Sequence, residues 1–92
     1  MSSVAASDTL TINGATITFK ATPAAAGECK PTLAALKGMI NGVMATAGDY
    51  VEFAAADRAK LLSVNAKAID DGTNVTIVTS GHVEYAQSGV TL

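Results

Sequence analysis

The sequence predicts an α+β domain: a mostly antiparallel sheet built from hairpins, with one main helix packed on one face and a second short helix. Two stretches of alternating apolar and polar residues around turn signals predict the hairpins. Between them, apolar residues recur at helical spacing and predict the main helix. We expect residues 1–92 to form a single small domain, with residues 1–7 as an N-terminal arm.

The first hairpin is predicted over residues 8–20, in the stretch DTLTINGATITFK. Asn13-Gly14 favours a two-residue type I′ turn, because both central residues of that turn need positive φ. This turn pairs Ile12 with Ala15, which separates apolar residues from threonines. The predicted core face consists of Leu10, Ile12, Ala15, Ile17 and Phe19. The opposite face consists of Thr9, Thr11, Thr16 and Thr18.

The segment after the hairpin, residues 21–32, reads as a loop because it carries Pro23, Pro31 and several small residues. A loop of this length in a small domain often has a function. It contains Cys29, the single cysteine of the chain, which excludes an internal disulfide framework. We interpret Cys29 as an ordinary thiol, since His82 is the only histidine and nothing in the sequence supports their pairing.

The stretch TLAALKGMINGVMATAG predicts the main helix over roughly residues 33–45, with Thr32 as its N-cap and Gly48 as its stop. Gly38 and Gly42 fall inside this range, on one side of the helix, where they would let a strand or another subunit pack closely. The predicted core face consists of Leu33, Leu36, Ile40, Val43 and Met44.

The second half of the chain predicts a further short helix and hairpin. DYVEF is a strand candidate, and AAADRAKLL predicts a short helix with Asp57 as a cap or first-turn acid. SVNAKAI and NVTIVTS flank a turn over residues 70–73 and predict the second hairpin, and HVEYAQSGVTL predicts a final strand. The predicted inward set is Val64, Ala66, Ala68, Val75, Ile77 and Thr79.

Composition narrows the classes of function. Charged residues make up 15% of the chain and the formal net charge is -2, so the basic footprint of a nucleic-acid binder is missing. No signal peptide is visible, and no run approaches the about 18 apolar residues of a membrane span. We expect neither nucleic acid nor membrane as partner, and the chain reads as a complete product of cytoplasmic synthesis. Its small, weakly charged residues suit contact with other protein copies. Alternatively, they only reflect the alanine-rich composition that a GC-rich genome produces.

Residues that could carry chemistry are few. Asp70 and Asp71 lack the spacing of a calcium loop and fit an acidic turn. His82 and Glu84 would share one face of a strand, but two ligands do not complete a metal site. Asp57, with Arg58 and Lys60 beside it on the short helix, fits ordinary surface charge or an ion pair between subunits. We therefore expect no enzyme activity, no cofactor and no metal.

The threonine face of the first hairpin has three interpretations. Threonine favours strands and tolerates water, so the face fits a solvent-exposed side of the sheet. It also fits an interface with a neighbouring subunit, since threonine packs flat and forms hydrogen bonds. The third interpretation is an ice-binding surface, because a regular array of threonines can match the ice lattice. Such a surface would need a longer, repeated array.

LTINGATITF, followed after a loop by TLAALKGMIN, resembles the flagellin hook IN motif over residues 10–19 and 32–41. The same hairpin-then-helix module is similar to segments of capsid, decoration and tail proteins of tailed bacteriophages. The chain lacks the long terminal coiled-coil segments of a flagellin, its connecting loop is longer, and that loop contains a cysteine. It therefore resembles a small virion protein more than a flagellar one. The resemblance implies self-assembly or docking onto a protein lattice, with no catalytic residues.

These observations predict a virion structural protein of the head cement, decoration or head–tail type. It would dock in many copies on other virion proteins, such as the major capsid protein, and would form a homo-oligomer located in the virion. The predicted contact residues are Thr9, Thr11, Thr16, Thr18, Pro23 and Pro31. The alternatives are a bacterial filament subunit domain and a monomeric module that binds a small ligand or carbohydrate. That module would use Tyr50, Phe53 and Tyr85 for stacking.

Overall fold

The computed structural model describes residues 6–70, 74–80 and 85–88, the last four by their backbone. Within these residues the elements are β1 (Thr9–Ile12), β2 (Ala15–Phe19), β3 (Glu28–Cys29), α1 (Leu33–Asn41), α2 (Ala55–Ser63), β4 (Lys67–Asp70), β5 (Val75–Val78) and β6 (Tyr85–Ser88). The strands form a four-stranded sheet in the order β3-β2-β1-β6 and a two-stranded sheet of β4 and β5. All pairings are antiparallel except that of β2 with β3. The α+β class with a mostly antiparallel sheet is confirmed.

The first hairpin has the predicted turn and register. Asn13 and Gly14 have φ of 51° and 87°, as a type I′ turn requires. Ile12 lies opposite Ala15, and Leu10 lies opposite Ile17. Every residue of the predicted core face is at most 1% exposed. The alternation of buried and outward side chains therefore fixes the register, because a shift by one residue would expose the whole apolar set.

The loop prediction for residues 21–32 is wrong at Glu28–Cys29, which forms the short parallel strand β3 beside the end of β2. The chain reverses at Gly27, where φ is 84°. Only two residues pair in this way, so no alternating pattern marks the strand. The predicted strand DYVEF forms only in part. Tyr50 makes a single antiparallel bridge with Cys29, and backbone hydrogen bonds from Val51 to Glu28 and from Lys30 to Asp49 flank it.

Helix α1 begins as predicted and ends early. The hydroxyl of Thr32 accepts a hydrogen bond from the Ala35 N–H at 3.2 Å, which confirms the N-cap. The predicted end near residue 45, with a stop at Gly48, is wrong. The helix ends at Asn41, because Gly42 adopts the left-handed conformation at φ 77°.

The early end changes the core face of α1. Val43 and Met44 lie beyond the helix and are 67% and 42% exposed, so their predicted place in the core is wrong. Ala35 and Met39 are buried instead, beside the predicted Leu36 and Ile40.

Gly38 does permit a close backbone approach. A Cβ at this position would lie 2.5 Å from the carbonyl oxygen of Val43. The neighbour is the chain's own turn after α1, not the strand or second subunit that we predicted. Gly42 has open space around it and serves the left-handed turn.

Helix α2 is confirmed at Ala55–Ser63, with Asp57 in its first turn. It ends in a Schellman motif: the Ala66 N–H donates to the Leu61 carbonyl, and the Asn65 N–H donates to the Leu62 carbonyl. Asn65 supplies the left-handed residue at φ 52°.

The second hairpin is confirmed, with Ala68 opposite Ile77. Of the predicted inward set, Ala66, Ala68 and Val75 are buried, and the other members are half-buried. The final strand is confirmed by the pairing of β6 with β1. Residues 1–5 of the predicted arm lie outside the described residues. So do Asp71 in the second turn, His82 and Glu84.

Candidate interaction surface

The threonine face is the outer side of the two central strands of the larger sheet. Thr9 lies opposite Thr18, and Thr11 lies opposite Thr16, so the four side chains form two cross-strand pairs. The hydroxyl oxygens of Thr11 and Thr16 are 2.9 Å apart and form a hydrogen bond. Thr16 is exposed, and the other three are half-buried. The structure thus brings all four predicted residues, none of them charged, together on one face of the sheet.

Strand β3 places the loop that contains Pro23 at the edge of this patch. Glu28 lies beside Thr18 in the parallel register. Its carboxylate accepts hydrogen bonds from the N–H groups of Ala24 at 2.8 Å and Ala25 at 3.0 Å. These two bonds lower the pKa of Glu28, and the bond from Ala24 has the larger effect. The carboxylate thereby fixes the loop directly after Pro23.

The remaining predicted contact residue, Pro31, lies elsewhere. It directly precedes Thr32, the N-cap of α1. The buried side of α1 packs into the core, against the face of the sheet opposite the threonines. Pro23 therefore lies near the threonine face and Pro31 lies in the helical layer.

A second surface feature, which the sequence did not predict, lies beside α1. A shallow cleft of about 320 Å³ is lined by Ala34, Lys37, Gly38, Asn41, Val43 and Ala45. Val43, which we had placed in the core, forms part of its wall. The Asn41-Gly42 pair is a common helix-end signal and could have revealed this arrangement.

Two of the three aromatic residues proposed for ligand stacking are in the core. Tyr50 is 8% exposed and Phe53 is 5% exposed. The guanidinium of Arg58 lies 5.1 Å from the centre of the Phe53 ring. The side chain of Tyr85 lies outside the described part. These two buried rings offer no open face to a sugar or to a planar ligand.

Arg58 is a structural residue, so its interpretation as ordinary surface charge is wrong. Its guanidinium donates to the carbonyls of Met39 at 2.7 Å and Ile40 at 3.0 Å, in the last turn of α1. It also forms two hydrogen bonds with the carboxylate of Glu52, at 2.8 and 2.7 Å. Arg58 thus joins α2 to the negative end of α1. Its hydrogen bond to Glu52 lowers the pKa of that carboxyl.

Two asparagines also join separate elements. The Asn41 side chain donates to the Ala68 carbonyl at 2.9 Å and accepts from the Ala68 N–H at 2.8 Å, which links α1 to β4. The Asn13 side chain donates to the Lys60 carbonyl at 2.9 Å, which links the first hairpin to α2. These bonds fix the helices relative to both sheets.

We predict that Cys29 of the native protein reacts with thiol reagents far more slowly than a free cysteine. The residue is fully buried, and burial, with a smaller effect of Asp49, raises the pKa of its thiol to about 12. The thiolate is the reactive form, so its population falls roughly 1,000-fold against an unperturbed thiol with a pKa of 9.0. Maleimide labelling should be slow in buffer and fast in denaturant. Equally fast labelling in both would contradict this prediction.

Among the described residues, no group of three or more potential ligands could hold a metal ion. No helix in the described part of the chain is long and apolar enough to span a bilayer. Comparison with protein-family models, curated proteins and solved structures finds no match to this chain.

Proposed function

We propose that this chain is a virion structural protein of the cement or decoration kind, which docks in many copies onto a protein lattice. The observation that carries the proposal is the threonine face, defined as Thr9, Thr11, Thr16 and Thr18. The resemblance of the hairpin and helix to tailed-bacteriophage virion proteins supports it. In such an assembly, many copies of a modest contact give a stable whole.

The strands that carry the threonine face are already packed on their other side before any partner arrives. The opposite side of the same two strands is buried at 0–1% exposure. The type I′ turn and a core of this kind hold the strands in one register. Binding to a surface that is already folded in its bound form loses little conformational entropy, so more of the contact energy remains for affinity.

The threonine face also costs little to desolvate. None of its four side chains carries a charge. Thr11 and Thr16 already bond to each other at 2.9 Å, so their hydroxyls keep a partner when water is removed. Buried charges without partners would make docking unfavourable. The four threonines bring no charge, and the carboxylate of Glu28 beside them already accepts hydrogen bonds from two backbone N–H groups.

The proposed partners are further copies of this chain and other virion proteins, foremost the major capsid protein. The proposed location is therefore the virion. The loop after Pro23, fixed by Glu28 at the edge of the threonine face, would extend the contact.

Thr16→Lys is expected to weaken self-association at least about 100-fold, since an unpaired buried charge costs about 3 kcal/mol or more. Thr16 is exposed in the isolated chain, so the variant should still fold. Light scattering after size exclusion, over a concentration series, measures the assembly. Ala59→Lys is the matched control, because it adds the same charge at an exposed position on α2.

Three outcomes of this experiment are informative. A discrete oligomer that Thr16→Lys dissociates and Ala59→Lys preserves supports the proposal. A wild-type monomer at every concentration contradicts the self-association. A polymer that grows without limit would favour the filament subunit, since a contact that does not close by rotation gives an open filament.

A further inference from the structure

The chain contains two Asn-Gly steps, at Asn13-Gly14 and Asn41-Gly42. In such a step the backbone nitrogen of the glycine can attack the side-chain carbon of the asparagine. A C–N bond forms, ammonia leaves, and a five-membered succinimide remains. Water then opens the ring and gives aspartate or isoaspartate. Glycine hinders this attack least, because it has no side chain.

The structure treats the two steps differently. The Gly42 N–H donates to the Gly38 carbonyl at the end of α1, so the attacking nitrogen is held in a helical hydrogen bond. The Asn41 amide is held by its two partly buried bonds to Ala68. Attack at Asn41 therefore requires the helix end and the α1–β4 contact to open together.

Asn13 is much less protected. It lies at the tip of the first hairpin, and Gly14 is exposed. Among the described residues, the Gly14 N–H donates to no hydrogen bond. The Asn13 amide donates only to exposed acceptors, the Lys60 carbonyl at 2.9 Å and the Ser63 hydroxyl at 3.4 Å. Opening these exposed bonds requires less free energy than opening the partly buried ones at Asn41.

We propose that Asn13 is a site of spontaneous deamidation in the folded protein and that Asn41 is not. The reaction adds one negative charge and removes the amide donor that faces the Lys60 carbonyl. An aspartate would place its carboxylate beside that carbonyl, at the negative end of α2. An isoaspartate would lengthen the backbone within a two-residue turn. Both products remove the hydrogen bond from the Asn13 amide to the Lys60 carbonyl, and this change cannot reverse by itself.

The test is incubation of the native protein at mildly alkaline pH in water enriched in heavy oxygen, followed by peptide mapping. We expect the label to enter at residue 13 at least about tenfold faster than at residue 41, since opening each additional hydrogen bond lowers the reactive population by about that factor. In denaturant, both steps should react at similar rates, which would show that the fold sets the difference.

Asn13→Gly is the control variant, because Gly-Gly also suits a type I′ turn. It should abolish the early labelling and leave the fold intact. Equal labelling at residues 13 and 41 in the native protein would overturn the proposal. So would labelling at residue 41 alone, or no labelling at residue 13 under conditions in which the denatured chain reacts.

Discussion

Arg58→Ala is expected to lower the free energy of unfolding by about 2–4 kcal/mol, because hydrogen bonds from a charged donor contribute about 1.5–3 kcal/mol each and are not additive. The side chain of Arg58 is only 16% exposed. Without it, the carbonyls of Met39 and Ile40 lose their donor, and Phe53 loses the cation over its ring. Urea unfolding, followed by circular dichroism, measures the change.

Two control variants separate the roles of Arg58. Glu52→Gln should cost less than about 1 kcal/mol, because Glu52 is 55% exposed and exposed ion pairs contribute little. The free energy of unfolding of Arg58→Lys should lie between those of the wild type and Arg58→Ala, since an ammonium cannot make the paired hydrogen bonds of a planar guanidinium. An Arg58→Ala variant as stable as wild type would contradict the assignment of Arg58 as the link between the helices.

The same ion pair gives a pH dependence of known sign. Arg58 lowers the pKa of Glu52 in the folded protein. The pair therefore stabilises the fold above the unfolded pKa of Glu52, and this contribution is lost as the pH falls through the lower, folded value. On the acid side, the free energy of unfolding of the wild type should therefore fall slightly more steeply with decreasing pH than that of Glu52→Gln.

Asn41→Ala is expected to destabilise the protein by about 2–4 kcal/mol, since it leaves two backbone groups without partners at about 1–3 kcal/mol each. Both groups belong to Ala68, which is 4% exposed. The midpoint of thermal unfolding should fall by at least about 8 °C, because each kcal/mol shifts a domain of this size by about 4–8 °C.

Two further variants test the same contact. Asn41→Asp keeps the acceptor for the Ala68 N–H but places a carboxylate against the Ala68 carbonyl. This variant should therefore be no more stable than Asn41→Ala. Asn13→Ala removes an exposed contact instead and should cost only about 0.5–1 kcal/mol. Equal losses of unfolding free energy in Asn13→Ala and Asn41→Ala would contradict the prediction that the α1–β4 contact stabilises the fold more than the exposed contact of Asn13.

The elements that sequence predicted well are those specified by neighbouring residues. Asn13-Gly14 and strict alternation specify the first hairpin completely, down to the pairing of Leu10 with Ile17. The end of α1 was missed because several glycines could stop the helix, and only Gly42 follows an asparagine that bonds to β4. Strand β3 was missed because two residues cannot show a period.

In the candidate site, too, the features that local sequence specifies were predicted, and those that depend on distant residues were missed. The threonine face follows from alternation alone, so all four of its residues were predicted together. The links made by Arg58 and Asn41 join residues far apart in sequence, at separations of 18–27 positions, and no local pattern encodes them. The cleft beside α1 depends on where the helix ends, so that error hid it as well.

The pairing of β1 with β6 makes the fold depend on the order of synthesis. Strand β1 is synthesised well before its neighbour β6, because Thr9 lies opposite Ser88 and the two are far apart in sequence. Until then, one edge of the nascent hairpin carries unpaired backbone groups, which can pair with another chain. Closing this long-range contact slows folding compared with the local hairpin. Until β6 emerges, the nascent chain therefore exposes a strand edge through which it can associate with other chains.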